Sequence, residues 1–502
     1  MLVPHLQELV RHLGVMRDGN DVMKKTSTVL SAVLALASIN GAAQAQVQLE
    51  RFERQLEQIR RETQLLMVSP EVPPDQRLYY DFGGDITFNF LAIDDPLQNT
   101  HILRQTSLTG YGRLNFDGAH DFFLRGRVTY NDFNSGDSFD GEGDEWVGPR
   151  LERAIYRFDL ARYMGAYHGK DLRGNVVVQG GRQLVHWTSG LVLSRELDGA
   201  MIDLSWEDVT LTILAGRTVE DTADIDSSRP DFDDETRRNF FGGMIAWQVT
   251  PYHRPYVYGL VQEDDNSDDT LSIGGTTTRF DYNSFYIGIG SSGNLTRKLL
   301  YGIEFVYQGG DTLSNSFDNQ TFIPGPQTRD DIEAWAMNAI LDYQFGDANR
   351  TRANIELIVA SGDDDRLHST NTFAGNQPGT RDKAFNGFGL LNTGLAFNTN
   401  VSNLLVVRTG ASTFPLAGTT TFDRLQIGID LFLFNKYDSD APIDEPTSDH
   451  RYLGFETDLY ATWQVTSDLV VAARYGVFFP GKAILTDNDP RHFFFTGVTL
   501  GF

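Results

Sequence analysis

The chain has 502 residues, no cysteine, 12% aromatic residues and a formal net charge of -26. The absence of cysteine excludes a disulfide framework and thiol chemistry, and the acidity argues against nucleic acid as a partner. The length fits two or three soluble domains or one large β-barrel.

The chain begins with a predicted leader. Residues 23–45, MKKTSTVLSAVLALASINGAAQA, place two lysines before a short apolar core and end in the small-x-small sequence Ala43-Gln44-Ala45. This order is typical of a secretory signal peptide. Residues 1–22 carry no export feature, so we predict that they are an extension ahead of the true initiator, Met23.

Residues 46–68 predict an amphipathic helix in the periplasm, because apolar residues recur in the 3-4-3-4-3 spacing of a coiled-coil seam. The seam consists of Leu49, Phe52, Leu56, Ile59, Thr63 and Leu66. Three prolines then end the helix and make residues 69–78 a linker. The helix either packs on the rim of a barrel or serves self-association or a periplasmic partner through residues 47–67.

From residue 79 to the C-terminus, polar and apolar residues alternate as in β-strands. In the first such segment, Asp85, Thr87 and Asn89 share one face and Phe88 lies on the other. No later run approaches the ~20 apolar residues of a transmembrane helix, so a bilayer protein with this sequence is a barrel. Nineteen candidate strands begin near residues 79, 106, 121, 150, 173, 197, 208, 239, 254, 281, 297, 332, 351, 387, 401, 423, 453, 469 and 493.

The lengths of the connections decide the strand number. If the N-terminal helix and the final residue both lie in the periplasm, the number of strands is even. Short links such as 465–468 are typical of periplasmic turns, and long acidic, glycine-rich links are typical of outer loops. Keeping the candidate near residue 387 would place the link at 465–468 outside. We therefore predict an all-β fold, a transmembrane antiparallel β-barrel of eighteen strands over residues 79–502. Residues 385–398 then belong to a long outer loop, as a plug or a short helix.

The last segment, Phe493–Phe502, reads FFFTGVTLGF and presents one nearly all-apolar face. It resembles the closing strand of bacterial outer-membrane barrels, in which the final Phe is part of the signal read by the assembly machinery. Its edge is expected to pair with the first strand, because each orphan backbone group in hydrocarbon costs several kcal/mol. We expect Phe502 to contact the assembly machinery and the acidic loops to meet lipopolysaccharide.

Charged residues of the strands fall opposite the apolar rows, so we expect them to line a polar lumen; an Arg at the lipid midplane costs roughly 2–4 kcal/mol. The predicted pore-lining residues that would bind substrate are Arg113, Arg125, Arg127, Arg153, Arg157, Arg182, Arg408, Arg424 and Arg474. The acids predicted to pair with them are Asp198, Asp203, Glu304, Glu356, Asp430, Glu456 and Asp458. Either the two sets pair and simply fill the interior, or several arginines at a constriction attract an anionic substrate.

Arg182 does not fit the simple alternation. It is in phase with Val176 and Val178, which points it toward lipid. A bulge at the Gly180-Gly181 pair would shift the phase and turn it inward.

The sequence carries no sign of catalysis or of a metal centre. It lacks a Gly-x-Ser-x-Gly elbow, a His-Glu-x-x-His motif and a phosphate loop, so we predict no enzyme, no catalytic residue and no cofactor. Asp264, Asn266 and Asp268 echo the start of a calcium loop but lack its glycine and its distal Glu, so no specific metal site is predicted.

Five short motifs resemble the alginate export family of outer-membrane porins. They are Gly181-Arg182-Gln183, Leu197-Asp198-Gly199-Ala200, Ser402-Asn403-Leu404, Leu453-Gly454-Phe455-Glu456-Thr457-Asp458-Leu459 and Phe478-Phe479-Pro480-Gly481. The resemblance implies an eighteen-stranded monomeric barrel with an Arg-rich pore, through which an anionic uronate polysaccharide leaves the cell. It also implies a lumen-lining role for Arg182, Asp198 and Glu456.

We therefore expect a passive outer-membrane channel of a Gram-negative cell, selective for anionic, alginate-like saccharides bound by lumen arginines. Two other hypotheses stay open. One is an uptake porin for small organic anions, and the other is a non-conducting structural or adhesion barrel.

Overall fold

The computed structural model describes residues 78–502 except 139, 140, 142, 274, 275, 318–323, 367, 368, 371, 373 and 374. The predicted extension, signal peptide, amphipathic helix and residues 69–77 of the linker lie outside the described residues. No helix of this described part is long and apolar enough to cross a membrane.

The described chain is almost entirely antiparallel sheet, with twenty strands and one short helix. The strands are β1 Leu78–Asp94, β2 Thr100–Phe116, β3 His120–Phe133, β4 Glu145–Asp159, β5 Gly174–His186, β6 Ser194–Trp206, β7 Val209–Thr218, β8 Arg238–Trp247, β9 His253–Asp264, β10 Thr270–Ile273, β11 Thr276–Arg279, β12 Tyr282–Asn294, β13 Leu299–Phe317, β14 Pro324–Gln344, β15 Arg352–Ala360, β16 Leu404–Thr413, β17 Leu425–Lys436, β18 Tyr452–Gln464, β19 Leu469–Pro480 and β20 Arg491–Gly501. The helix is α1, Leu160–His168.

Eighteen of these strands form one closed barrel, as predicted, and each pairs with its neighbours in the chain. β10 and β11 form a separate hairpin in the loop between β9 and β12, and the alternation pattern did not reveal it. The barrel closes where β1 pairs with β20, in a register running from Asp85 opposite Gly501 to Ile93 opposite Phe493. The amide of Phe502 donates to the carbonyl oxygen of Gly84 at 2.9 Å, so the pairing continues to the last residue.

The two ends of the barrel differ in their connections. At one end, which we call the short-turn end, the links are residues 117–119, 207–208, 248–252, 295–298, 345–351, 414–424 and 465–468, together with the link that contains α1. Helix α1 begins where the Asp159 side chain accepts from the amide of Arg162 and ends at Gly169, whose φ of 60° suits glycine. The other end, the loop end, carries the long connections. The longest, residues 361–403, is named the plug loop below.

The outer surface of the barrel is apolar. On β1, Phe82, Ile86 and Phe88 are exposed, whereas Asn89 on the opposite face is buried inside the barrel. Trp206 and Trp247 are exposed at the short-turn end of their strands. Together these exposed residues form an apolar belt. Such a belt, with aromatic residues at its edge, is the surface that a barrel presents to hydrocarbon.

The segment near residue 387 is not a strand of the barrel, which agrees with the predicted strand number. Phe388 makes only an isolated bridge to Leu193, and the rest of residues 385–398 is irregular. The described residues of the plug loop include Phe385, Phe388, Leu395 and Phe397, which belong to two buried apolar clusters between loops and barrel wall. The core of this protein therefore lies inside the barrel, at the loop end.

Candidate functional site

Two inward-folded loops fill part of the lumen. The 187–193 loop and the plug loop pair with each other, because Ser194 N donates to Phe388 O at 2.8 Å and Leu390 N donates to Gly190 O at 2.8 Å. The plug loop also contacts the wall, where Asn386 N donates to the side chain of Gln308 at 2.9 Å. These backbone contacts give the plug loop a defined position in the barrel.

An aromatic side chain anchors the plug loop on the opposite wall. The ring of Phe397 stacks on Phe478 with a centroid distance of 4.3 Å, and it meets the edge of Phe434 at 4.9 Å. All three residues are fully buried. Such a cluster contributes its buried area and its ring geometry to the docking of the loop.

Next to this anchor, a carboxylate of the wall holds the backbone of the plug loop. Glu456 on β18 is fully buried, and it accepts hydrogen bonds from the amides of Leu395, Ala396 and Phe397 at 2.5, 2.7 and 2.9 Å. Asp458 accepts from the Leu395 amide at 3.1 Å. Three amide donors replace the water that a buried carboxylate loses.

Glu304 on β13 holds the 187–193 loop in a similar way. Its carboxylate accepts from the Thr188 hydroxyl at 2.7 Å, the Ser189 amide at 3.0 Å and the hydroxyl of Tyr258 at 2.5 Å. Glu304, Glu456 and Asp458 were predicted to pair with arginines, and the structure corrects this. Their donors among the described residues are loop groups and tyrosines, because the loops turn into the lumen and bring these donors to the wall.

A second part of the lumen wall is basic. On β3, the Nε atoms of Arg125 and Arg127 lie 2.7 and 2.9 Å from the carboxylate oxygens of Glu152. The β3–β4 register shifts between Arg125 and Gly126, which leaves Glu152 as an extra residue. This bulge turns Glu152 to the same side as the two arginines.

Two further arginines of β4 belong to the same surface. Arg150 lies opposite Arg127 in the register and Arg153 lies opposite Arg125. The Arg150 Nε atom is 2.7 Å from a carboxylate oxygen of Asp221, which comes from the 219–237 loop. We call Arg125, Arg127, Arg150 and Arg153 the basic wall; it holds four guanidinium groups beside Glu152 and Asp221.

Across the barrel, an arginine is fully compensated. Arg408 on β16 contacts Glu356 at 3.0 Å and Asp430 at 3.1 Å, and Glu356 also accepts from Asn338 at 2.7 Å. On β19, the Arg474 guanidinium lies 5.9 Å from the centre of the Tyr460 ring.

A cavity of about 470 Å³ remains between the wall and the inward-folded loops, on the side of the short turns. Its lining includes Thr188 from the 187–193 loop, Leu391 from the plug loop, and Arg254, Tyr256 and Asp342 from the wall. The inward-folded loops therefore leave open space inside the barrel on this side.

Comparison with known proteins identifies this architecture. The model of the alginate export family matches residues 97–493. The chain belongs to the alginate export family. Among solved structures, Acinetobacter baumannii OccAB1 is 9% identical, with a TM-score of 0.50 over 84% of this chain and 96% of that one. Pseudomonas aeruginosa OccK11 (OpdR) is 11% identical, with a TM-score of 0.49 over 84% of this chain and 95% of that one. At such identities the similarity to OccAB1 shows the fold alone. No curated protein sequence matches this chain.

Membership of the alginate export family, together with the closed barrel, makes the chain an outer-membrane channel protein. Family and fold are those of channels and porins, which are not enzymes. The lumen described above is therefore the candidate site. The remaining predicted residues of this member of the alginate export family lie either within the lumen or outside it.

Three of the remaining arginines lie toward the short-turn end. Arg113 on β2 makes a two-point contact with Asp121, at 2.9 and 2.7 Å. Arg157 on β4 is exposed and has no ion pair in the part of the chain that the structure describes. Arg424 precedes β17 and is exposed, so it belongs to the 414–424 link. Among the predicted acids, Asp203 accepts from the Thr212 hydroxyl at 2.6 Å.

Arg182 and Asp198 face outward, which corrects their predicted lumen-lining role. Arg182 donates to both carboxylate oxygens of Asp198 at 2.8 Å, and the register of β5 with β6 continues through Gly181 without a shift. Their neighbours Gln183 and Leu197 are buried inside the barrel, so alternation turns the pair to the outer face. Because Trp206 marks the other edge of the belt on β6, Asp198 lies near its loop-side edge, where a paired charge is tolerated.

Sequence reasoning missed several residues that position the site. Glu152 was out of phase with the predicted lumen face, and only the bulge brings it inward. At the start of β8, the fully buried Arg238 donates to both oxygens of Asp224 in the 219–237 loop. Arg491 binds Glu445 in the same two-point manner, which ties the start of β20 to the 437–451 loop. The sequence signal for these pairs was weak, since each joins segments that are distant in the chain.

Proposed function

We propose that this outer-membrane channel passes anionic saccharides of the alginate type, and that the basic wall guides them through the lumen. Export through a passive pore needs no chemical step. It needs a sealed barrel, a wet interior and a local field of the right sign.

The observation that carries the proposal is the grouping of four guanidinium groups on the basic wall. Four arginines share this surface with the carboxylates of Glu152 and Asp221. The chain as a whole is acidic, with a formal charge of -26, so the positive field is local. Low-dielectric walls focus such a field in a pore and raise the concentration of anions there.

Ion selectivity in planar bilayers tests this proposal. We expect the double variant Arg125→Ala with Arg127→Ala to lose anion preference, measured as the reversal potential across a salt gradient. Arg217→Ala is the matched control, because Arg217 lies on β7 and in register with the outward-facing Asp198. Unchanged selectivity in the double variant would count against the basic wall, and a purified barrel that never conducts would count against any channel function.

A second candidate function is the uptake of small organic anions. It is favoured by the two inward-folded loops, which narrow the lumen and leave a cavity of about 470 Å³ beside the wall. Liposome swelling separates the two functions. Entry of glucuronate together with exclusion of its oligomers supports uptake of small anions, and entry of both supports passage of the polymer.

We also propose three interaction partners, each for a different segment of the chain. The C-terminal Phe502, exposed at the short-turn end, fits recognition by the outer-membrane assembly machinery. The acidic loops fit a surface of lipopolysaccharide bridged by divalent ions, and residues 47–67 fit a periplasmic partner or self-association. Deletion of Phe502 should lower the yield of heat-modifiable barrel in membranes, and deletion of residues 47–67 should change the oligomer size if that segment associates.

A further inference from the structure

The backbone of the plug loop forms an anion-binding nest at residues 394–397. Three consecutive amides, those of Leu395, Ala396 and Phe397, point at one carboxylate. Gly394 precedes them with a φ of 91°, and a Cβ atom there would lie 2.6 Å from Oε2 of Glu456. Successive amides in such a turn make a concavity for a negatively charged oxygen group.

In this structure the nest is occupied by a group of the protein itself. Glu456 reaches it from β18 and is fully buried there. Without a carboxylate, the three amide donors would lose their acceptor, and a buried donor without an acceptor destabilises the folded loop. The nest therefore requires an anion, but nothing in its geometry requires that the anion belong to the protein.

We infer that the nest at residues 394–397 is a carboxylate-binding site, which Glu456 occupies at rest and which the carboxylate of a permeating uronate or organic acid takes over. This inference rests on the proposed function for the identity of the ligand. A uronate carboxylate has the same two oxygens and the same charge as the Glu456 side chain. Its binding releases the plug loop from β18 and loosens the constriction.

Competition for the nest is favoured by the second carboxylate beside it. Asp458 lies two residues further along β18, on the same face as Glu456. The Leu395 amide donates to Glu456 at 2.5 Å and to Asp458 at 3.1 Å. The Leu395 amide therefore keeps an acceptor while Glu456 leaves, so an external carboxylate can replace the internal one.

Chemical rescue tests the site directly, without relying on transport. In the purified full-length barrel carrying Glu456→Ala, we expect hydrogen–deuterium exchange at residues 395–397 to be at least tenfold faster than in the wild type. We expect sodium acetate to slow it again, while sodium chloride at equal ionic strength does not. Acetate should leave the wild-type exchange unchanged, because the three amides have a carboxylate acceptor whether Glu456 or acetate occupies the nest.

Two further variants make the test decisive. Glu456→Gln keeps the size of the side chain and replaces the anion by a neutral acceptor, so acetate should slow exchange there too, even if Glu456→Ala does not fold. Asp203→Ala is the matched control, because that carboxylate accepts from the Thr212 hydroxyl and faces no nest. Equal effects of acetate and chloride in both Glu456 variants would overturn the inference.

Conductance then separates this inference from the proposed function. Acetate protection of the nest in a barrel that does not conduct would retain the carboxylate site and overturn the channel. A conducting, anion-selective barrel without acetate protection would retain the channel and overturn the site. If both hold, acetate should also raise the frequency of plug-loop opening in the wild-type barrel, because it displaces Glu456 from the nest.

Discussion

The basic wall and the docking surface of the plug loop use charge in opposite ways. On the basic wall, four arginines stand beside Glu152 and Asp221, and the Arg127 and Arg150 side chains stay 17% and 22% exposed to the lumen. On the docking surface, Glu456 is fully buried and its donors are main-chain amides. The comparison teaches that a partly exposed charge of the lumen remains accessible to ions, whereas a buried and compensated charge holds a loop.

The largest effect is expected from the aromatic anchor of the plug loop. Phe397→Ala removes a ring that stacks on Phe478 and should weaken the docking of the loop by about 3–5 kcal/mol, the cost of such truncations in packed cores. We expect a clear rise in single-channel conductance with the barrel intact. Phe422→Ala, in the exposed 414–424 link, is the control, and an unchanged conductance of Phe397→Ala would remove the plug loop as the constriction.

A pH-dependent effect is expected within the plug loop. Burial raises the pKa of Asp363 to about 7; the charge of Asp382 adds to the rise, and Arg366 opposes it. The packed loop therefore binds this proton more tightly than the released loop, so its docking is strongest below pH about 4. Docking then weakens by up to about 1.4 kcal/mol per pH unit until pH about 7. Plug-loop opening should be more frequent at pH 7.5 than at pH 5.

The variant Asp363→Asn should abolish this pH dependence of opening, recorded as open probability in bilayers. Asp364→Asn is the control, because Asp364 is half-exposed and pairs with Lys383. An equally steep pH profile in Asp363→Asn would assign the dependence to another group.

A smaller effect on ion selectivity is expected at Glu152, and its sign is opposite to that of removing arginines. Glu152→Gln removes the carboxylate that contacts Arg125 and Arg127, so the basic wall gains net positive charge. We expect the anion-to-cation permeability ratio to rise by about twofold, since the charge is partly screened by salt. A fall in the ratio would mean that Glu152 acts mainly by holding the two arginines in place.

The smallest effect is expected at Arg424. This residue is exposed in the link before β17, outside the strands of the barrel. Arg424→Gln should leave both conductance and selectivity unchanged, because water and salt screen a charge at this position. A measurable change in selectivity would extend the functional lumen to the short-turn end.

Much of the fold could be predicted from local pattern. Alternation with a period of two identified each of the eighteen barrel strands, and the contrast between short turns and long loops removed the false candidate near residue 387. The hairpin β10–β11 and helix α1 were missed, because both lie in connections where no barrel face imposes a pattern. The predicted inward position of Arg182 was wrong, because Gly181 adopts its positive φ without shifting the register.

The candidate site was only partly predictable. Arg125 and Arg127 could be assigned to one face from their spacing, but their partner Glu152 becomes available only through a bulge. Glu304 and Glu456 could be recognised as charged residues of the strands, but their donors come from loops 115 and 59–61 residues away in the chain. No local pattern carries such pairings.

The sequence by itself determined the barrel, its strand number and the separation of an apolar outer face from a charged inner one. These features follow from side-chain alternation, because successive side chains of a strand face lipid outside the barrel and the polar interior in turn. This constraint acts on every strand independently. Only the tertiary structure decided which charges stay open to the lumen and which hold a loop. That choice depends on where the plug loop and the 187–193 loop turn inward, and a buried carboxylate takes whichever donors the folded chain brings within hydrogen-bonding distance.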